Sequence, residues 1–323
     1  MNTTRRAIGS MLLSLAASAA VAQQYPAKPI RYVVGFSPGT ATDIVARLVA
    51  NKLTERWGQQ VVVDNRVGAA GTIAASMVAR ADPDGYTLYM GSSTLVVSTF
   101  FIPGVTYDVF KHFDPVVYMV SLPTVLIVPP QLQLNSVRDL INLAKSKPGV
   151  LNYSHSGRGT GSHVGAEMLN TMAGIELTEV GFKAAGDALN SVVRNDVAVY
   201  FPNLAAALPL IKQGRVKVLG ISSAKRSPVM PDLPSLAESL PGFDTSSFYG
   251  IIAPAKTPSD VIKRLHDEVV AVLALPDVRE RMTSLGAEIV AGPGAALGQR
   301  MRIERDQVAQ VVKRIEAREG KSR

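Results

Sequence analysis

The chain has 323 residues, 47% hydrophobic and 19% charged, with 34 basic against 26 acidic side chains and no cysteine. That composition excludes a disordered chain and leaves room for two domains with large cores; it also excludes disulfides, thiolate chemistry and a lipidated cysteine. The positive charge is spread along the sequence, with no basic run of the nucleic-acid-binding type, so its main effect is to steer anionic small molecules.

Residues 1–22 carry the features of a secretory signal: Arg5 and Arg6, an apolar stretch over 7–21, and the small-x-small site Ala20-Val21-Ala22. The mature chain is expected to begin near Gln23 and to reach the periplasm by the general secretory route rather than the twin-arginine one. Removing the two signal arginines from the 34 basic residues, against 26 acidic ones, leaves a formal charge of +6. No later stretch offers the ~18 uninterrupted apolar residues that a spanning helix requires.

Strand-like and helix-like patterns then alternate: strand 30–36, helix 42–57, strand 61–64, helix 71–80, strand 87–91. This βαβαβ order predicts a parallel sheet covered by helices. It restarts with strand 125–128, helix 136–147, strand 151–153, helices 162–173 and 184–194, strand 197–201, helix 204–213 and strand 216–221. A strand over 247–253 and helices over 258–275, 277–285 and 295–318 complete the chain and are expected to pack back on the first unit, with Pro258 opening its helix. Two crossings, near 118–123 and 222–228, would permit hinge motion. The predicted fold is α/β with two lobes, each a mainly parallel sheet flanked by helices, and a ligand cleft between them. Lobe I comprises 23–121 plus 222–323 and lobe II 122–221.

Two segments run from an apolar strand through a Gly/Ser/Thr-rich turn into a helix: IRYVVGFSPGTATDIVARLV at 30–49 and LNYSHSGRGTGSHVGAEML at 151–169. Small residues ahead of a helix present backbone N–H groups to an anion, so the pair would grip a small carboxylate from two sides. The candidate ligand residues of the first cradle are Phe36, Ser37, Gly39, Thr40 and Asp43. Asp43 either closes its own helix, because Thr40-x-x-Asp43 fits a capping box, or pairs with a ligand ammonium group. The second cradle offers His155, Ser156, Gly157, Gly159 and Thr160, its alternating glycines too close-set for a dinucleotide fingerprint. Arg158 either clamps a carboxylate or points into solvent. Ser92 and Ser93 follow a strand at its carboxyl edge, and Phe182, Phe201 and Asn203 could wall the pocket.

His163 and Glu167 stand at i, i+4 but lack a third ligand, so no metal is expected. There is no GxSxG elbow, HExxH or P-loop, and Ser154/Ser156 with His163 is only a nominal pair, so neither catalysis nor a cofactor is expected.

The ordered motifs YPAKPIRYVVGFSPGTATDIVAR, VVVDNRVGAAGT, DPDGYTLYMGSS, FDPVVYMVSLPTVLIV, LAKSKPGVLNYS, SAKRSPVMPDLPSLAES and FYGIIAPAKTP run from about 25 to beyond 291. In these the chain resembles the extracytoplasmic solute receptors of tripartite tricarboxylate transporters, the Bug proteins. The resemblance implies a type II periplasmic-binding-protein fold that captures a small carboxylate as a monomer and hands it to a membrane permease. A ligand-presenting co-sensor for a periplasmic signalling domain is the alternative, and an enzyme acting on a carboxylate a more remote one. The chain departs from the family pattern near the expected cleft: Thr40 replaces a glycine, Val180-Gly181-Phe182-Lys183-Ala184 stands for Val-Pro-Tyr-Lys-Gly, and Pro202 takes the place of an acid. A larger or drier pocket would follow, tilting the expectation toward a monocarboxylate or aromatic acid.

Overall fold

In a computed structural model that describes residues 25–321, two sheet systems are joined by two adjacent crossings and a long C-terminal helix. The signal expected over 1–22 lies outside the described residues.

β1 (Ile30–Val34), β2 (Val61–Asn65) and β3 (Thr87–Ser92) pair in parallel, with α1 (Ala41–Trp57) and α2 (Thr72–Val78) in the connections. Because side chains alternate across a strand, Ile30, Tyr32, Val34, Leu88 and Met90 join Val45, Val49 and Leu53 of α1 in one core. Val33 and Tyr89 face the opposite core, with Ala74 and Ala75 of α2. α1 starts where the Thr40 hydroxyl accepts from the Asp43 N–H and stops at Gly58, whose φ of 66° lets its N–H return to Thr54 O.

The sheet is mixed, not mainly parallel. β4 (Phe113–Leu122), β9 (Ser247–Pro254) and β10 (Glu288–Pro293) complete the order β10-β4-β9-β3-β1-β2, with β9 antiparallel to β3 and β4, and β10 antiparallel to β4. Topology dictates this. β4 carries the chain out to the second lobe and β9 brings it back alongside, pairing Leu122 with Ser247 and Phe113 with Pro254, so the two run in opposite senses.

In the second lobe β5 (Val125–Val128) pairs antiparallel with β8 (Lys217–Ile221), and β6 (Asn152–His155) parallel with β7 (Thr178–Gly181). The stretch 197–201 forms no continuous strand but stitches these pairs, Ser154 N–H donating to Val199 O at 2.9 Å and Ile127 N–H to Tyr200 O at 3.0 Å. Residues 222–246 stay with this lobe: Ser222 N–H donates to Thr124 O, Thr245 N–H to Ser222 O, and Leu236, Leu240 and Phe243 share a core with Leu126, Tyr153 and Phe201.

Around the sheets lie α3 (Thr94–Phe101), α4 (Val137–Ser146), α5 (Gly161–Ala173), α6 (Ala185–Val193), α7 (Leu204–Lys212), α8 (Ser259–Leu273), α9 (Pro276–Ser284) and α10 (Gly294–Lys321). The 28 residues of α10 span ~42 Å at 1.5 Å per residue, long enough to touch both lobes. Its Leu297 and Met301 sit in the first-lobe core with Tyr89 and Phe248, while Val308 meets Val97 of α3 and Val164 of α5. No helix among the described residues is long and apolar enough to cross a membrane.

Candidate functional site: a neutral cavity between the lobes

A cavity of about 260 Å³ opens where the crossings meet the second lobe. Leu122, Thr124, Ser247 and Tyr249 form its wall at the crossings. Opposite stand the starts of three helices: Thr160, Gly161 and Ser162 of α5, Ala185 and Gly186 of α6, and Asn203 and Ala206 of α7.

Each of these helix starts is uncapped. The side chains at the N-cap positions, Thr160, Ala184 and Asn203, make no capping hydrogen bond. Thr160 Oγ1 turns back to Gly157 O at 2.7 Å. The first-turn N–H groups of a helix have no intrahelical acceptor, and together with the helix dipole they favour an anion. Three such ends face one cavity, although at α7 one first-turn donor, the Ala206 N–H, is already taken by Asn203 O at 3.1 Å.

Hydroxyls supplement them. Ser156, Ser162 and Tyr200 lie together; burial raises the Tyr200 phenol above its ordinary range, and its Oη donates to Ala185 O at 3.4 Å. Tyr249, likewise raised by burial, is 3.3 Å from the Thr42 hydroxyl and ties the cavity wall to the first turn of α1. Leu189, Phe201 and Pro202 supply apolar surface, and every lining side chain is neutral.

Of the residues singled out from sequence, Ser156, Thr160, Phe201 and Asn203 line this cavity. Phe201 is also a core residue, stacked on Phe243 with ring centres 6.3 Å apart. The others are engaged elsewhere. Phe36 packs by Gly71, Ser37 O accepts from the Thr40 hydroxyl, and Gly39 N–H donates to Asp43 at 2.9 Å. Asp43 also accepts from Arg47 Nε at 3.0 Å and Asn65 Nδ2 at 2.8 Å. Burial opposes its ionisation, but these three donors outweigh it and hold the carboxyl below its ordinary range. Its side chain is therefore built into the β1–α1 turn.

Ser92 bonds the Thr94 hydroxyl at 2.8 Å, and Ser93 Oγ accepts from Phe248 N–H at 3.1 Å, pinning β9. Phe182 packs in the second-lobe core and donates its N–H to His155 O.

His155, Gly157 and Gly159 lie behind the cavity rather than in its wall. His155 Nδ1 accepts the Gly157 N–H at 3.0 Å, so Nε2 carries the proton and donates to Glu179 Oε1 at 2.9 Å. Gly159, at φ 81°, sits where a Cβ would come within 3.1 Å of Phe101. Arg158 does form a bidentate clamp, but on Glu179, with Nε and Nη2 each 3.0 Å from a carboxylate oxygen. The His155 hydrogen bond, followed by those from Arg158, overcomes burial and lowers the Glu179 pKa to about 2. His163 is fully buried; its Nδ1 accepts the Gly159 N–H at 3.2 Å, and burial, reinforced by neighbouring His155, pushes its pKa down to about 4. Among the described residues no group of acids and histidines has the makings of a metal site.

Sequence reasoning missed Tyr200, Ser247, Tyr249 and the α6 start at Ala185 and Gly186. The signal available was the alternation in β9, where Ser247 and Tyr249 are half-buried and Phe248 and Gly250 buried.

Comparison with known proteins agrees with this architecture. Residues 45–319 match the tripartite tricarboxylate transporter family receptor profile. A protein from the tcbD–tcbE intergenic region of Pseudomonas sp. strain P51 is 36% identical over 93% of this chain and 91% of its own, and protein BugT of Bordetella pertussis is 33% identical over 92% and 94%. Among solved structures, a Rhodopseudomonas palustris protein with adipate superposes with a TM-score of 0.73 at 33% identity, covering 90% of this chain and 98% of that one. A second protein from Rhodopseudomonas palustris, MatC, with bound malate, gives 0.71 at 32%, covering 89% and 100%. With the family profile and relatives matching nearly the whole described chain, this protein belongs to the tripartite tricarboxylate transporter family of receptors.

Proposed function

We propose that this chain is a periplasmic receptor, working as a monomer, that closes on a small carboxylate without an amino group and delivers it to the membrane permease of a tripartite system. The observation that carries this reading is the convergence of three uncapped helix starts on a cavity whose lining is neutral. An anion is stabilised there by N–H groups and hydroxyls, whereas an ammonium group would find no carboxylate. Asp43, the acid that could have met one, is engaged by Gly39, Arg47 and Asn65.

The magnitudes suffice. Helix termini contribute up to ~2 kcal/mol each in partly buried geometry, and hydrogen bonds to a charged group ~1.5–3 kcal/mol each. Together they match the ~8 kcal/mol of micromolar binding. The adipate and malate held by solved relatives are the first ligands to try. The apolar patch of Leu189, Phe201 and Pro202 favours a ligand whose body is hydrocarbon.

Two lobes of 25–122 plus 247–321 and 123–246 support closure better than a return crossing at 222–228, because residues 222–246 pack on the second-lobe core. A thermal-shift panel of refolded mature protein against dicarboxylates, monocarboxylates, aromatic acids and amino acids tests the reading. A ligand at 100 times its Kd adds about 2.7 kcal/mol of stability. Upward shifts with amino-free carboxylates are expected; shifts confined to amino acids would overturn the proposal.

A further inference from the structure

The buried charged groups behind the cavity are not among its lining residues, yet they join the C-terminal helix to the cavity's lip. Glu167 of α5 is fully buried, and its Oε1 accepts from Tyr153 Oη at 2.6 Å and from Arg318 Nη1 of α10 at 3.0 Å. Arg318 Nη2 reaches Glu179 Oε2 at 3.4 Å. The same Glu179 holds His155, at the end of β6, and Arg158, within the turn that leads from β6 to α5. His155 in turn holds the Gly157 N–H, and His163 holds the Gly159 N–H. Arg314, one turn earlier on α10, donates Nη1 to Asn170 O in the last turn of α5 at 2.8 Å and Nη2 to Ile175 O just beyond its end.

α5 is thus gripped at its middle and its C-terminus, while its free end supplies Gly161 and Ser162 to the cavity. Glu167 lies six residues, ~9 Å of helix, from that end. The other half of α10 is anchored at the crossing, where Arg300 Nη2 donates to Ser246 O at 2.6 Å, next to the cavity residue Ser247.

We propose that Arg314 and Arg318 are positioning residues for carboxylate capture: from the C-terminal helix they hold α5 and the 155–161 turn in the register that presents the α5 N–H groups to the ligand. The proposal rests on the cavity being the carboxylate site, and it makes α10 a third connection between the lobes beside the two crossings. Loss of either guanidinium frees α5 and its turn to shift, so binding weakens although neither arginine touches the ligand. A lysine at 318 keeps the charge near Glu167 but loses the fork that spans Glu167 and Glu179.

The test has two arms. In ligand-free protein, hydrogen exchange at the Gly157 and Gly159 amides is compared between wild type and Arg318→Met; about tenfold faster exchange is expected, and unchanged exchange overturns the proposal. In titrations with adipate and malate, Arg318→Met should raise Kd about tenfold and Arg318→Lys should recover part of the loss. Met301→Ala, which destabilises the first-lobe core without touching α5, should leave Kd within twofold. An equal loss of affinity in Met301→Ala and Arg318→Met overturns the proposal, since any destabilisation would then suffice. Should Arg318→Met not fold, Glu179→Gln makes the same exchange comparison from the other end of the network. A wild type that binds none of the carboxylates, with fast exchange in the variant, would remove the receptor reading and leave the positioning of the turn intact.

Discussion

His163 makes the acid stability of this protein quantitative. Its ring is fully buried with a pKa of about 4, while the unfolded chain returns it to its ordinary 6.5. The folded value lies below the unfolded one, so between these limits the unfolded state binds more protons and stability falls as pH falls. Lowering the pH from 7.5 to 5 should therefore cost about 2 kcal/mol through this one residue, the linkage integral over that interval. For a chain of ~300 residues this corresponds to roughly 3 °C in Tm. Glu179, lowered from 4.5 to about 2, gives stabilisation that is lost as pH falls from about 4.5 through about 2, so it contributes little between pH 7.5 and 5. Buried Glu304 and Glu288, both raised by desolvation, act in the opposite sense, which makes the difference between two proteins the clean observable. His163→Asn keeps an acceptor for the Gly159 N–H but cannot titrate. Melting wild type and variant from pH 7.5 to 5 should show the wild type losing about 2 kcal/mol more than the variant. Parallel pH profiles would mean that His163 titrates alike in the folded and unfolded states.

Three further outcomes follow from the geometry. Asp43→Asn removes the charge that Arg47 pairs with and weakens the bonds from Gly39 and Asn65, so it should lower stability by about 1–2 kcal/mol in urea unfolding while ligand Kd stays within twofold. Gly186→Asp places a carboxylate at the cavity with nothing within 4 Å of its Cβ; the fold should survive, but at ~5 Å and an effective dielectric of ~20 the repulsion of an anion is about 3 kcal/mol, a hundredfold in Kd by titration calorimetry. Gly294→Ala drives a Cβ into the Pro115 carbonyl oxygen, so backbone must move, and denaturant unfolding should register a loss of about 2–3 kcal/mol.

The buried strands and their helices were legible because their apolar runs are short and bounded by turn residues, as in the parallel IRYVV of β1 and the antiparallel VLIV of β5. β4 was not, because Pro115 interrupts a run that would otherwise read as a strand, and the register shifts between Pro115 and Val117 absorb it. α3, TLVVSTFF, has the β-branched composition of a strand, and burial of Leu95, Val96 and Val97 overrides that propensity. In the site, the start of α5 could be read locally from its Ser-Gly-rich turn. The rest depends on tertiary placement: Tyr249 reaches the cavity only because β9 returns beside β4, and no spacing rule foretells that His155 turns to Glu179, 24 residues away, instead of to a ligand.

A crystal structure of the refolded mature protein with adipate or malate would show where the carboxylate sits. A carboxylate is expected in the 260 Å³ cavity, its oxygens within hydrogen-bond distance of first-turn N–H groups from at least two of α5, α6 and α7. A carboxylate bound at the β1–α1 turn and paired with Arg47, with the three helix starts left to solvent, would contradict it.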